Sequence, residues 1–212
     1  MPTQVFLLLD MTASMNAGKE LTIDACNEFI SGQRSGRGAS DYVFTLAVFN
    51  SNIGLERIVR EVPMDKAPMI EHEHYSPDGA TPLYDAIGEG MDLFESHKDS
   101  VLFIIQTDGE ENSSQHFTRD QIIRRVAEKT AAGWQFVYLG CDIDAMDQGA
   151  DLGIAAGNTM SYRRSSSKDA FQMLQASTKA YMDTGSTTSA SFFRNTPSRK
   201  GNPGDPPRTK KK

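Results

Sequence analysis

The sequence predicts an α/β domain built on a largely parallel sheet. Three observations carry that expectation. Continuous apolar runs recur at Val5–Leu9, Val101–Ile105 and Phe136–Gly140. Unbroken runs of this length read as strands buried on both faces, as in a parallel sheet covered by helices. Segments with helical spacing lie between them, and strands alternating with helices mark the α/β class.

The elements follow in chain order. Val5–Leu9 is the first strand and runs straight into Asp10. Leu21, Ala25, Cys26, Phe29 and Ile30 share one face of a helix from about Lys19 to Gln33. Tyr42–Phe49, rich in β-branched and aromatic residues, reads as a strand, and Gly54–Val62 as another. The short turn at Asn50–Asn52 between them permits an antiparallel edge hairpin. Leu83, Ile87, Met91 and Phe94 mark a second helix, with Thr81 suited to its N-cap and Pro82 to its first position. Val101–Ile105 is the next strand, ending shortly before Asp108. Thr118 and Gln121 form a capping box for a helix carrying Ile122, Val126 and Ala127. Phe136–Gly140 follows as a strand. Phe171, Leu174, Thr178 and Tyr181 mark a last helix and read as core residues.

The chain has 212 residues, which suits one domain plus a tail. We expect the domain over 1–184 and a disordered basic tail over 185–212. The tail holds seven Lys/Arg and one acid, which leaves 15 basic and 27 acidic side chains, a net −12, on residues 1–184. An acidic body disfavours nucleic-acid binding by the globular part. The basic tail is compatible with nucleic acid, an anionic surface, an acidic protein or the body itself, and also with a merely solubilising end. No apolar run approaches the roughly 20 residues of a membrane span. No secretory signal is expected from the opening residues. Two cysteines, Cys26 and Cys141, fit a reducing cytoplasm, where a disulfide is not expected.

Three short motifs carry chemistry. Asp10-Met11-Thr12-Ala13-Ser14 directly follows the first strand. Open α/β sheets bind ligands beyond the carboxyl ends of their strands, so Asp10 lies at the crevice. A turn there aims the Thr12 and Ser14 hydroxyls at the same point as the carboxylate, although Asp, Ser and Thr also serve as plain helix caps. Thr107-Asp108-Gly109 follows another buried strand; alone it is an ordinary Asp-Gly turn. Gly79-Ala80-Thr81-Pro82 opens a helix that leads into that strand, which allows Thr81 to reach the same rim. Together Asp10, Thr12, Ser14, Thr81 and Asp108 supply two carboxylates and three hydroxyls. Hard oxygen donors suit Mg²⁺ or Mn²⁺ ahead of Ca²⁺, and the set lacks the His and Cys expected for zinc. Two carboxylates just neutralise a divalent ion. The hydroxyls add no charge, so the ion stays electrophilic toward an incoming carboxylate.

With these residues in view, the sequence resembles a von Willebrand factor type A domain with a complete metal-ion-dependent adhesion site. That pattern is Asp-x-Ser-x-Ser, a distant Thr and a distant Asp, matched here by Asp10, Thr12, Ser14, Thr81 and Asp108. The strings Phe6–Asp10, Gly79–Ala86 and Gln106–Glu110 resemble the bacterial and phage-like branch, and the likeness covers roughly residues 3–184. Thr12 departs from the usual Ser but keeps the hydroxyl. The resemblance implies a Rossmann-like, mostly parallel six-stranded sheet with one antiparallel edge strand and helices on both faces. It implies direct metal contact by Thr12 and Ser14, contact by Asp10 and Asp108 often through water, and a variable contact by Thr81. It further implies a protein partner whose Asp or Glu fills the open position, in some relatives within an ATPase-associated complex.

Other features are weaker. Glu71-His72-Glu73-His74 reads as a second metal site or, more simply, a solvated loop. Cys141-Asp142 also follows a buried strand, with no basic neighbour in sequence to activate the thiol. Asp85 reads as a hydrogen-bond partner of Thr81 or of a water near the site, or equally as an ordinary first-turn acid. Functionally, the sequence points to a cytoplasmic, non-enzymatic, metal-dependent protein-binding module. Two alternatives stand beside it. A metal-dependent phosphoryl hydrolase would need an acid where Thr12 stands. A structural or assembly protein would use the metal only to stabilise its fold.

Overall fold

The computed structural model describes residues 3–96, 100–184 and 191–193. Six strands form one sheet: β1 Thr3–Asp10, β2 Tyr42–Asn50, β3 Gly54–Pro63, β4 Val101–Thr107, β5 Gln135–Cys141 and β6 Thr159–Tyr162. Their order is β3-β2-β1-β4-β5-β6. All neighbours run parallel except β2 and β3, the antiparallel edge pair. The helices are α1 Lys19–Arg34, α2 Leu83–Asp92, α3 Arg119–Ala131, α4 Ala145–Asp151 and α5 Ser167–Thr184. The expected mostly parallel sheet with one antiparallel edge strand is therefore what the chain forms. Neither α4 nor β6 stood out as an apolar or periodic segment. β6 reads Thr-Met-Ser-Tyr, a half-exposed edge with no continuous apolar run to mark it.

Strand alternation divides the core in two. Val5, Leu7 and Leu9 point to one face, where Ile23, Cys26, Phe29 and Ile30 of α1 meet Phe171 and Leu174 of α5. Phe6 and Leu8 point to the other, against Leu83, Ile87 and Met91 of α2 and Ile122 and Val126 of α3. Phe6 and Phe103 meet edge to face at 4.7 Å, a preferred aromatic geometry. Both faces of β1 and β4 are thus covered, which is why Val5–Leu9 and Val101–Ile105 are apolar without a break.

The tail expected over 185–212 lies outside the described residues except for Ser191–Phe193. There Phe192 is buried, and its N–H donates to Asn158 Oδ1 at 3.0 Å. The Phe193 N–H donates to the Gly157 carbonyl at 3.0 Å. Among the described residues, no helix is long and apolar enough to cross a membrane.

The topology locates the functional edge. From β1 the chain builds outward to β2 and β3, then returns to add β4 on the other side of β1. The winding reverses between β1 and β4, and such a switch point leaves a crevice beyond the carboxyl strand ends. Asp10 ends β1, and Asp108 follows the last residue of β4.

Candidate metal centre

Asp10 is fully buried. Its Oδ1 accepts the Thr12 N–H at 2.8 Å and its Oδ2 accepts the Thr107 hydroxyl at 2.5 Å. The loop that follows is tied on both sides. The Met11 N–H donates to the Phe49 carbonyl and the Ala13 N–H to the Gly79 carbonyl, each at 3.0 Å. The second bond joins the Asp10 loop to the segment carrying Thr81. Thr12 and Ser14 then sit side by side, hydroxyl to hydroxyl, at 3.1 Å. The Ser14 hydroxyl donates to Asp108 Oδ1 at 2.5 Å.

Thr81 arrives by a different route from the expected one. Pro82, not Thr81, holds the N-cap position of α2, and its first turn is capped from across the loop. Glu111 accepts the Tyr84 N–H at 2.9 Å, and the Ser114 hydroxyl accepts the Asp85 N–H at 3.1 Å. The orphan donors of the helix end are met this way, so the Thr81 hydroxyl is not spent on capping. Asn112 brackets Thr81, accepting its N–H at 2.8 Å and donating its own N–H to the Thr81 carbonyl at 3.1 Å. The Thr81 Oγ1 lies against Gly109, where an added Cβ would stand 3.1 Å away. Glycine after Asp108 therefore lets the two segments close up.

Thr12, Ser14 and Asp108 are thus linked side chain to side chain, Thr81 lies against the residue after Asp108, and Asp10 stands behind Thr12. The donor set consists of oxygens alone. Adjacent ligands of an octahedral Mg²⁺ at 2.0–2.1 Å lie about 2.9 Å apart. The observed 3.1 and 2.5 Å spacings straddle that value, so the residues fit a small hard cation. Burial raises the Asp10 carboxyl to about 6, against the opposing hydrogen bonds from Thr107 and Thr12. Burial also raises Asp108, opposed by Ser14 and by Arg164. Both carboxylates have lost hydration that a cation would replace.

Sequence reasoning missed several residues here. Thr107 fixes Asp10 but looks like any strand-end threonine. Glu111 and Asn112 hold Thr81 and α2 from a polar loop without periodicity. Arg164 donates to Asp108 Oδ2 at 2.6 Å from a turn far along the chain. Asp85 does not bond Thr81; its carboxylate accepts the N–H groups of Gln115, His116 and Phe117 at 2.7 to 2.9 Å. An acid in the first turn of α2 faces that loop, and three converging amides outbid a single hydroxyl. Glu71–His74 includes a short 3-10 turn, with His74 Nδ1 accepting the Glu71 N–H at 3.1 Å. Among the described residues, no group of three or more His, Cys, Asp or Glu side chains is arranged to hold a metal. Cys26 and Cys141 are both buried and unpaired, and burial pushes the Cys141 thiol up, away from reactivity.

Compared by sequence, the chain matches no protein-family model and no curated protein. Solved structures do match. The pilus adhesin SpaC from Lactobacillus rhamnosus GG, in its open conformation, superposes with a TM-score of 0.67 at 12% identity over 84% of this chain. The vWF domain of the type V pili tip protein Mfa5 from Porphyromonas gingivalis gives 0.62 at 8% over 84%. The chain has the von Willebrand factor type A fold. It spans 30% of the SpaC chain and 95% of the Mfa5 domain. The manganese-loaded TRAP protein from Plasmodium vivax is similar too, with a TM-score of 0.55 at 14% identity, over 79% of this chain and 71% of that one. At these identities the likeness is one of fold.

Proposed function

We propose that this chain is a metal-dependent protein-binding module that captures an Asp or Glu of a partner at the carboxyl edge of its sheet. The observation that carries the reading is the convergence of oxygen donors from separate segments on the topological switch point. Thr12, Ser14 and Asp108 touch in series, with Thr81 alongside and Asp10 behind. A divalent ion bound there supplies a charge that attracts a carboxylate. The chain's own residues do the rest. The Thr12 and Ser14 hydroxyls would hold the ion, and Asp108 and Asp10 would balance its charge. Thr107 orients Asp10, and Asp10 in turn orients Thr12 through its N–H. With only two carboxylates, the set would leave a bound divalent ion able to attract one more. Mg²⁺ or Mn²⁺ suits the oxygen set, and one structural neighbour is a manganese-loaded protein, which supports a divalent cation here. Two buried, unpaired cysteines support a reducing, cytoplasmic setting. The ATPase-associated setting rests on the resemblance alone.

The test is capture on the immobilised chain in Mg²⁺. Proteins held by this module should elute with EDTA and should not bind Asp108→Ala, whose circular dichroism stays native. Partners retained by Asp108→Ala in EDTA would sink the reading.

A further inference from the structure

Arg164 is the one cation that reaches the Asp108 carboxylate among the described ion pairs, and nothing in the proposed binding reaction uses it. It opens the turn between β6 and α5. The backbone is pinned there: its N–H donates to Asp142 Oδ1 at 3.2 Å, and its carbonyl accepts the Ser167 hydroxyl at 2.7 Å. The side chain crosses the rim over Gly18, where any Cβ would meet Cδ at 2.6 Å and Cγ at 3.0 Å. Nη2 then reaches Asp108 Oδ2 at 2.6 Å. The Asp108 side chain is only 1% exposed beneath it. Nε is buried without a hydrogen-bond acceptor, with Asp142 Oδ2 at 3.6 Å. The Cys141 thiol lies beside the guanidinium as well, so the arm is held by charge, by that weak sulfur contact and by its stem, not by the two-pronged fork that makes such pairs strong.

We propose that Arg164 is a tethered internal cation that competes with the divalent ion for Asp108 and so sets the module's metal affinity. This rests on the metal-binding reading above. Asp108 offers two oxygens: Ser14, itself a proposed ligand, holds one, and Arg164 holds the other. A divalent ion drawing on Asp108 would bring a second cation, with two more positive charges, beside the guanidinium and onto one carboxylate. Either the arm swings away or the two cations repel, and both lower affinity. When only a fraction of molecules has the arm withdrawn, apparent affinity falls by that fraction. The 23% exposed side chain has a way out toward solvent.

The test is calorimetric titration of the EDTA-treated full chain with Mg²⁺ and Mn²⁺, using wild type, Arg164→Gln and Gly18→Ala. Arg164→Gln removes the charge. Gly18→Ala keeps it but pushes the stem off its track, so the pair guards against a variant that misfolds. Both should bind metal about tenfold tighter than wild type, the scale of one lost close charge contact. Melting in EDTA gives a readout without metal: Arg164→Gln should melt no higher than wild type, since Asp108 has lost its countercharge. Unchanged or weaker metal binding in both folded variants overturns the competition and leaves Arg164 as a support for Asp108. If wild type and both variants all ignore millimolar metal, the binding reading itself fails, and this inference with it.

Discussion

At the scale of single residues, Asp10 is the pivot. Its two oxygens are held by Thr12 N–H and by the Thr107 hydroxyl. Thr107→Val keeps the shape and removes a donor to a buried carboxylate oxygen. It should destabilise the fold by about 2 kcal/mol, read by chemical denaturation. Asp10 also gives the fold a pH dependence. Burial raises its carboxyl from 3.8 to about 6. Between those values the native chain holds a proton that the unfolded chain has released. Its contribution is therefore complete below about 3.8 and is lost as pH rises through about 6. The swing is up to about 3 kcal/mol. Denaturation in EDTA from about pH 4 to pH 7 should show this decline, and Asp10→Asn should flatten it. Saturating Mg²⁺, which favours the ionised carboxyl, should offset it. The five proposed site residues stood out in the sequence because they follow buried strands or precede α2, where the α/β rule puts ligands. Arg164 was not, because two adjacent arginines after an unmarked edge strand look like solvated charges.

At the scale of elements, the loop between β4 and α3 does more than connect. Glu111 and Ser114 cap α2, Asn112 brackets Thr81, and Asp85 of α2 gathers three backbone N–H groups of the same loop. Asp85→Ala leaves those donors without their acceptor. We expect a loss of about 3 kcal/mol, and faster amide exchange at Gln115, His116 and Phe117 than in the rest of the loop. The N-cap expectation for Thr81 went wrong for the same reason. Local spacing reports which residue suits a cap, and a cap supplied from a distant loop leaves no mark in the four residues around the helix start. The buried strands were readable because their burial on both faces imposes apolar runs. β6, half-exposed at the edge, carries no such constraint.

At the scale of the whole molecule, the described packing reaches beyond the last helix. Phe192 is buried beside Tyr181, with ring centroids 6.1 Å apart, and is hydrogen-bonded to Asn158. A chain ending at Thr184 should be less stable than one ending at Phe193 by about 3 kcal/mol, the cost of a lost buried phenyl ring. The basic residues beyond Phe193 are proposed to add charge and not core, so a chain ending at Phe193 should melt with the full chain. The acidic body, the oxygen-lined edge and the reversal between β1 and β4 all bear on the proposed function: carboxylates and hydroxyls meet where the strands end, which is where a divalent cation is proposed to bind.

The most direct measurement is thermal unfolding of the EDTA-treated chain against added Mg²⁺, Mn²⁺ and Ca²⁺, with Asp108→Ala alongside. Ion bound only to the native state stabilises by about 2.7 kcal/mol at a hundred times its Kd. Wild type should melt several degrees higher in Mg²⁺ and Mn²⁺, less so in Ca²⁺, and Asp108→Ala should not respond. An equal rise in Asp108→Ala, or no rise in wild type at millimolar metal, would contradict the assignment of the site.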